Sequence, residues 1–174
     1  MKLHLGCGNA YLDGWVNIDL DSPVADIKDD VLQLSLIPDD SCEIIYACHV
    51  LEHLGRKGYM DALSLWKTKL KKGGVLRLAV PDLQKVLKLY DGTNLKSFWG
   101  FLYGGQRTKY DYHSVGFDFH SLEEDLRDLG FSSVYTWDWK EVEHGTVDDY
   151  SQAYLPHMDK ENGELMSLNI EAVK

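Results

Sequence analysis

The sequence predicts an α/β domain in which a parallel sheet is covered on both faces. Two observations lead to this prediction: short apolar runs alternate with helix-like runs along the chain, and a glycine-rich turn follows the first apolar run. The 174 residues are 44% hydrophobic and 26% charged, which is typical of a globular protein with a buried core. This length fits one domain, which we expect to span residues 1–174.

Seven segments are predicted as strands because they are short, apolar and mostly rich in β-branched or aromatic residues. The first of them enters the turn "GCGNA", the third is weak, and a proline closes the fifth. The segments are "KLHL" (2–5), "WVNIDL" (15–20), "VADI" (24–27), "CEIIYAC" (42–48), "VLRLAV" (75–80), "SSVYTWDW" (132–139) and "MSLNIEAV" (166–173).

Three segments between the strands show helical spacing of their apolar residues. The first runs from about Tyr59 to Lys71, and "KKGG" is expected to end it with basic residues followed by glycine. The second covers residues 82–90. The third covers residues 121–130, with Ser121 as the N-cap and a glycine at its end.

Two further segments have no clear periodicity. Residues 97–119 are aromatic and glycine-bearing, and they follow the fifth strand, so they form either a packed cap or a lid over a ligand. Residues 140–165 are polar and are expected to connect the last two strands.

The net charge restricts the partners. A formal charge of −10 argues against long nucleic acids, whose phosphates are normally met by a basic surface, and favours a neutral or cationic small molecule. Three cysteines without a pairing pattern predict free thiols in a reducing compartment. No apolar leader is present and no apolar run approaches the ~20 residues of a membrane span, so we expect a cytoplasmic protein without a span. The oligomeric state stays open.

The turn "LGCGNA" is the first candidate binding element. Gly6 and Gly8 lack side chains, so a ligand can approach the backbone closely. A dinucleotide fingerprint requires a third glycine, where this chain has Tyr11, and an NAD site is therefore disfavoured.

Acidic residues follow the next two strands. Asp19 ends the second strand, so in a parallel sheet its carboxylate lies beside the glycine turn and could accept both hydroxyls of a ribose. Asp30 follows the weak third strand, where an adenine amino group could reach it. Asp26 and Asp29 are alternatives for that role.

The segment "HVLEH" (49–53) has the form of a zinc-protease signature. On a helix, His49 and His53 would share one face with Glu52 beside them, a spacing that suits a metal and a general base. A peptidase would need a further acidic ligand, and the sequence identifies none.

The segments "LHLGCGNA", "NIDL", "LIPDDSCEIIYACHVLEHL" and "LKKGGVLRLAVPD" resemble, in this order, the successive motifs of class I S-adenosylmethionine-dependent methyltransferases. The resemblance covers residues 2–82 and continues more weakly to the C-terminus. It implies a Rossmann-like, doubly wound, seven-stranded and mostly parallel sheet whose last strand is antiparallel. It also places "HVLEH" where the family leaves the fourth strand, which explains this segment without a metal, and we expect no metal ligand.

Carried onto this sequence, the resemblance implies a cofactor site for S-adenosylmethionine. The residues after the first strand should wrap its methionine part, those after the second should meet the ribose, and those after the third should border the adenine. The residues directly after the fourth strand should face the methyl-transfer pocket, and His53 is expected to be a structural histidine at the edge of the cofactor. The implied cofactor residues are Leu5, Gly6, Cys7, Gly8, Asp19, Leu20, Asp30, Val31, Cys48, His49 and His53.

The chain departs from the family pattern in two places. Too few residues separate Gly8 from the second strand for the usual first helix, so this helix is predicted to be reduced or missing. The fourth strand is not followed by an N-P-P-Y-type motif, which disfavours an amide nitrogen of DNA or protein as the methyl acceptor.

The resemblance implies a methyltransferase, and by analogy with similar small single-domain chains we expect it to act on a small molecule or a saccharide precursor, at oxygen. His49 and His113 are the candidate catalytic bases, with His120 as a third, and Tyr103, Tyr110 and Tyr112 could shape the acceptor site. Two alternatives remain: an inactive, methyltransferase-like binding subunit, and an aminopropyl transferase on the same sheet.

Overall fold

A seven-stranded sheet is the centre of the computed structural model, which describes residues 1–174. Its strands are β1 (Lys2–Leu5), β2 (Val16–Asp19), β3 (Ile27–Lys28), β4 (Cys42–Cys48), β5 (Leu70–Pro81), β6 (Ser133–Thr136) and β9 (Ser167–Val173). The strand order is β3-β2-β1-β4-β5-β9-β6, and β9 is antiparallel to its two neighbours while the other pairs are parallel. The predicted fold class is confirmed, including the antiparallel last strand.

Four α-helices accompany the sheet: α1 (Gly55–Lys69), α2 (Leu83–Leu89), α3 (Trp99–Tyr103) and α4 (Phe119–Asp128). No helix joins β1 to β2, so the prediction of a reduced first helix is confirmed. A two-stranded hairpin, β7 (Tyr154–Leu155) and β8 (Glu164–Leu165), lies within the predicted polar connection. None of the helices is both long enough and apolar enough to cross a membrane.

The prediction that "KKGG" ends the first helix is wrong. The helix ends at Lys69, and the basic residues and glycines already belong to β5. Leu70 pairs with Cys42 of β4, and the Gly73 amide donates to the carbonyl of Lys174. Sheet pairing at both neighbours therefore overrides the local signal for a helix end.

The boundaries of three other elements differ from the predicted ones by a few residues, because side chains form hydrogen bonds with the backbone there. The Asp118 carboxylate, not Ser121, caps α4, since it accepts from the Ser121 amide at 2.9 Å. The third strand lies at 27–28 instead of 24–27, because the Asp26 carboxylate accepts from the Asn17 amide at 2.7 Å. The sixth strand stops at Thr136, and Asp138 caps a short 3₁₀ helix after it.

One face of the sheet carries the main apolar core. Alternate residues of the strands form rows in register, such as Leu5, Ala47, Leu78 and Ile170. All four are buried, and Leu63 and Trp66 of α1 and Leu122 and Leu126 of α4 belong to the same core cluster. The period-two pattern of the strands thus places every second side chain under the two helices.

The opposite face has a polar row in register across the sheet, and loops cover it. The row consists of Asn17, His4, Tyr46, Arg77 and Glu171, all buried. The imidazole Nδ1 of His4 lies 3.1 Å from Asn17 Oδ1, and Arg77 Nε donates to Glu171 Oε1 at 2.5 Å. Trp15, Trp137 and His144 from the loops pack around the Tyr46 ring. Each buried polar residue thus finds a partner within its own row or in the covering loops.

His144 is 4% exposed, and its ring centroid lies 4.1 Å from that of Tyr46. Burial, with the nearby Arg77 charge as a second cause, lowers the pKa of His144 from 6.5 to about 4. Below its ordinary pKa the unfolded chain takes up a proton that the folded protein does not. His144 therefore destabilises the fold progressively as the pH falls from 6.5 towards 4, and it has no such effect above 6.5.

We expect His144→Phe, which keeps an aromatic ring against Tyr46, to reduce the acid sensitivity of the fold. Between about pH 7 and about pH 5 the wild type should lose about 2 kcal/mol more unfolding free energy than the variant, at about 1.4 kcal/mol for each pKa unit. Urea unfolding at both pH values measures the difference. Equal losses in the two proteins would show that His144 can be protonated in the folded state near its ordinary pKa.

Candidate functional site

The glycine turn leaves β1 at the carboxyl edge of the sheet. Gly6 and Gly8 have positive φ angles of 63° and 52°, which favour glycine. A Cβ at Gly6 would lie 2.4 Å from Cγ2 of Val50, so this glycine allows the turn to pack against the exit of β4. A Cβ at Gly8 would meet nothing within 4 Å, and the backbone there is open to a ligand.

Asp19 lies beside this turn, because β1 and β2 are parallel neighbours. Its Oδ2 accepts from the Gly8 amide at 2.9 Å, and its Oδ1 accepts from the amides of Asp21 and Ser22 at 2.9 Å each. A carboxylate has about four acceptor positions, of which the backbone takes three. Asp19 therefore organises the loop and keeps room for about one hydrogen bond to a ligand, not the two that a pair of ribose hydroxyls would make.

The loop after β3 holds the residues predicted to border an adenine. The two carboxylate oxygens of Asp29 accept hydrogen bonds from the amides of Asp30 and Ser35. The two carboxylate oxygens of Asp26 accept from the Asn17 amide and the Tyr11 hydroxyl. Asp30 uses only Oδ1, which accepts from the Leu32 amide at 2.9 Å. Of the three competing acids, Asp30 thus keeps a free carboxylate oxygen. Val31 and Leu20 flank this edge, partly buried and exposed respectively.

Two of the predicted cofactor residues point their side chains into the protein. Leu5 is 0% exposed and belongs to the main core, and Cys7 is 3% exposed. Burial, followed by the nearby Asp19 charge, raises the pKa of the Cys7 thiol to about 11, so it stays protonated at neutral pH. Only the backbone of these two residues is available to a ligand.

His49 follows β4 with a φ angle of +53°, which is uncommon for a residue other than glycine. Its amide donates to the Ala79 carbonyl at 2.8 Å, which holds the turn at the end of β5. The Tyr150 ring lies 5.2 Å from the imidazole, centroid to centroid, and Nε2 is buried without a hydrogen-bond partner. Burial lowers the pKa of His49 to about 3, so the ring is neutral at physiological pH. Cys48, just before it, has a thiol pKa raised well above the ordinary value by burial.

Glu52 is 0% exposed, and neither of its carboxyl oxygens has a hydrogen-bond partner. Its Oε1 lies 3.3 Å from His49 Nδ1 and 3.8 Å from His113 Nε2. Burial raises the pKa of Glu52 to about 8. At neutral pH the group is therefore mostly a neutral acid among neutral imidazoles and does not form an ion pair with them.

His53 and His113 come from different parts of the chain and meet at Glu52. Their ring centroids are 4.9 Å apart, and His53 Nδ1 lies 3.0 Å from the Tyr112 carbonyl while His113 Nδ1 lies 2.9 Å from the Phe101 carbonyl. A carbonyl only accepts, so each Nδ1 carries the proton. Burial lowers the pKa of both rings, and each neutral ring then has its lone pair on Nε2.

The segment "HVLEH" is not an α-helix. His49 lies in the left-handed region, and Leu51–His53 form a single 3₁₀ turn. His49 and His53 therefore do not occupy one helix face as the protease signature requires. The peptidase interpretation of this spacing is wrong.

Solved structures with the same fold were found at low sequence identity. A SAM-dependent methyltransferase from Archaeoglobus fulgidus has a TM-score of 0.63 and 19% identity over 99% of this chain and 85% of its own. A second structure is a 1,6-didemethyltoxoflavin-N1-methyltransferase from Burkholderia thailandensis, solved with 1,6-didemethyltoxoflavin and S-adenosylhomocysteine. It has a TM-score of 0.61 and 16% identity, and the match covers 99% of this chain and 70% of its own. The chain has the class I methyltransferase fold. Neither a family model nor a curated protein sequence matches it.

In this methyltransferase fold, a cavity of about 580 Å³ lies beside the histidine cluster. Its wall includes His113 and four aromatic residues, Tyr59, Phe101, Tyr103 and Phe117, with Arg56 and Asp125 as charged groups. It does not include Gly6, Gly8 or Asp19, so the glycine turn opens onto a different part of the surface. Tyr110 and Tyr112, predicted for the acceptor site, do not line the cavity, and His120 lies exposed on α4.

Tyr150 is the site residue that sequence analysis missed. It belongs to the polar segment 140–165, and no local pattern distinguishes it. The contact arises because Asp149 accepts a hydrogen bond from Tyr46 of β4 at 2.7 Å and so anchors the loop above the strand ends.

The packing of Gly6 against Val50 generates a stability test. We expect Gly6→Ala to destabilise the protein by roughly 2–4 kcal/mol, because the added methyl overlaps the Val50 side chain and alanine resists a positive φ. Gly8→Ala shares only the backbone effect and should lose about 1–2 kcal/mol. Urea unfolding midpoints at constant m-value compare the two variants. Equal losses would contradict the close approach at Gly6.

Proposed function

We propose that this chain is an S-adenosylmethionine-dependent methyltransferase that acts on an oxygen of a small molecule or saccharide precursor. The observation that carries the proposal is the carboxylate of Asp19, held 2.9 Å from the Gly8 amide at the carboxyl edge of a class I methyltransferase sheet. The fold supports methyl transfer in general, and the choice of acceptor rests on the aromatic cavity.

The residues at the strand ends fit the cofactor. The open backbone at Gly8 leaves room for the methionine part of the cofactor. Asp19 has one acceptor position left for a ribose hydroxyl, and the free carboxylate oxygen of Asp30 suits the adenine amino group. S-adenosylmethionine, when bound, supplies a methyl group on a positively charged sulfur. A negatively charged edge, with Asp19 at the end of β2 and Asp29 and Asp30 directly after β3, suits that charge.

The cavity beside His113 is our candidate for the acceptor site. The exposed ring of Tyr103 and the rings of Tyr59, Phe101 and Phe117 give it flat apolar walls, and Ser114, Arg56 and Asp125 add hydrogen-bonding groups. Such a mixture suits the apolar and hydroxyl-bearing faces of a sugar. The cavity is close to β4 through His113, which contacts Glu52.

His49 is the proposed base at the methyl-transfer pocket. Its Nε2 is buried and has no partner inside the protein, and His49 does not line the cavity, so side chains around the imidazole would have to move for this atom to accept a proton from an acceptor hydroxyl. The depressed pKa makes it a weak base as it stands. His113 fits this role less well, because its Nε2 is directed at Glu52.

A catalytically inactive binding subunit is the second candidate. The absence of a helix between β1 and β2 favours it, because one side of the proposed cofactor site is then formed by turns alone. An aminopropyl transferase is less well supported, because the acid nearest the exit of β4, Glu52, is mostly protonated at neutral pH and attracts a polyamine poorly.

We expect Asp19→Asn to weaken binding of S-adenosylhomocysteine by at least about tenfold, since hydrogen bonds to a charged group contribute about 1.5–3 kcal/mol. Calorimetric titration of the purified chain measures the affinity. Asp21→Ala removes the same charge from an exposed position on the same loop and should stay within about twofold of wild type. Wild-type affinity in Asp19→Asn would exclude Asp19 as the ribose ligand.

His49→Asn tests the base, because asparagine tolerates the positive φ angle and only the imidazole is lost. Methyl transfer to an acceptor found by screening nucleotide sugars should fall by about 100-fold or more. Affinity for S-adenosylhomocysteine should change little. An unchanged rate would remove His49 from the mechanism, and cofactor binding without transfer to any acceptor would favour the inactive subunit.

A further inference from the structure

Glu52, His53 and His113 form a group of metal-type donors. One donor atom from each of the three residues lies within 4.8 Å of the other two. Glu52 and His53 come from the turn after β4, whereas His113 comes from the segment after α3. We propose that these three residues bind one divalent transition-metal ion, of which Zn²⁺ is the best match.

The buried carboxyl of Glu52 is the first argument. It is fully buried and both oxygens lack a partner, a state that costs about 1–3 kcal/mol for a polar group and more for a charged one. The imidazole nitrogens His49 Nδ1 and His113 Nε2 lie 3.3 and 3.8 Å from Oε1, and neither forms a hydrogen bond with it. A cation at this place would satisfy oxygens that the protein leaves unsatisfied.

The orientation of the two histidines is the second argument. Each ring gives its Nδ1 proton to a backbone carbonyl, of Tyr112 for His53 and of Phe101 for His113. Metal-bound histidines typically have such a partner, which fixes the tautomer and the ring plane. The lone pairs on Nε2 are then the donors left for the interior, and His113 Nε2 lies 3.8 Å from Glu52 Oε1.

The donor chemistry selects the kind of ion. Two imidazoles and one carboxylate suit Zn²⁺ and other late divalent transition metals, whereas Mg²⁺ and Ca²⁺ prefer all-oxygen sites. Ligands at about 2.0–2.1 Å from zinc lie roughly 3.3 Å apart, so small rotations of the three side chains would close the site. His53 is only partly buried, which gives an ion a way in from the surface.

Three ligands leave a coordination position open. His113 also lines the 580 Å³ cavity, so an ion bound to it would lie beside the proposed acceptor site. A bound ion would lower the pKa of an acceptor hydroxyl beside it. This step rests on the proposed function, whereas the existence of the ion site does not depend on it. The proposal goes against the expectation, drawn from the sequence alone, that the chain has no metal ligand.

The test is binding of Zn²⁺ to the metal-free protein, without cofactor or acceptor. We expect one ion per chain by calorimetry and by metal analysis after dialysis, visible absorption bands with Co²⁺, and no comparable binding of Mg²⁺. Zn²⁺ should also raise the unfolding temperature, since a ligand of the folded state stabilises it. Failure here would leave the S-adenosylhomocysteine titration unaffected, so the two proposals fail separately.

Glu52→Gln and His113→Gln are the ligand variants, and both keep approximate side-chain size. Each should weaken Zn²⁺ binding by at least about tenfold and remove the Co²⁺ bands. His120→Gln, at an exposed histidine outside the cluster, is the matched control and should bind as wild type does. If one variant fails to fold without metal, the other decides.

Two results would overturn the proposal. No stoichiometric binding to the wild type would make the cluster a neutral, purely structural group. Equal binding by the wild type and the ligand variants would show an adventitious ion on surface histidines only.

Discussion

The parallel pairing of β1 with β2 on one side and with β4 on the other is the constraint on which the rest of the molecule depends. Leu5 is opposite both Ile18 and Ala47, so the three strands end together at one edge. The glycine turn, Asp19 and His49 all follow within a few residues of that edge. A shift of one residue in this register would turn the apolar faces of the strands outward and separate these groups.

The same register gives the sheet two chemically different faces. The apolar face is buried under α1 and α4, and the polar row from Asn17 to Glu171 is buried under loops. Burying a polar group without a partner is costly, and the covering loops are held in place by contacts that avoid this cost: Trp137 Nε1 donates to the Leu78 carbonyl at 3.0 Å, and the Tyr46 hydroxyl donates to Asp149 at 2.7 Å. One of these loops continues to Asp149 and Tyr150, and the packing of the second face thus places an aromatic ring over His49.

The exit of β4 concentrates strain and unsatisfied polarity. His49 has a positive φ angle, Glu52 has a buried carboxyl without a partner, and His113 is brought in from a distant segment. Proteins retain such costly arrangements mainly at functional positions. No helix joins β1 to β2 on one side of this exit, and the donor group of Glu52, His53 and His113 lies on the other side. The exit of β4 therefore differs from a simple cofactor-binding turn.

Local pattern in the sequence determined the strands, the glycine turn and the missing first helix, because periodicity, backbone freedom and loop length all operate over a few residues. The antiparallel last strand was implied instead by the resemblance to class I methyltransferases. Asp19 could also be placed, because parallel neighbours share an edge. Only the tertiary structure decided that β5 begins at Leu70, that Asp19 has one free acceptor position, and that Glu52 meets His113. Those outcomes depend on contacts between segments far apart in the chain, which no local pattern encodes.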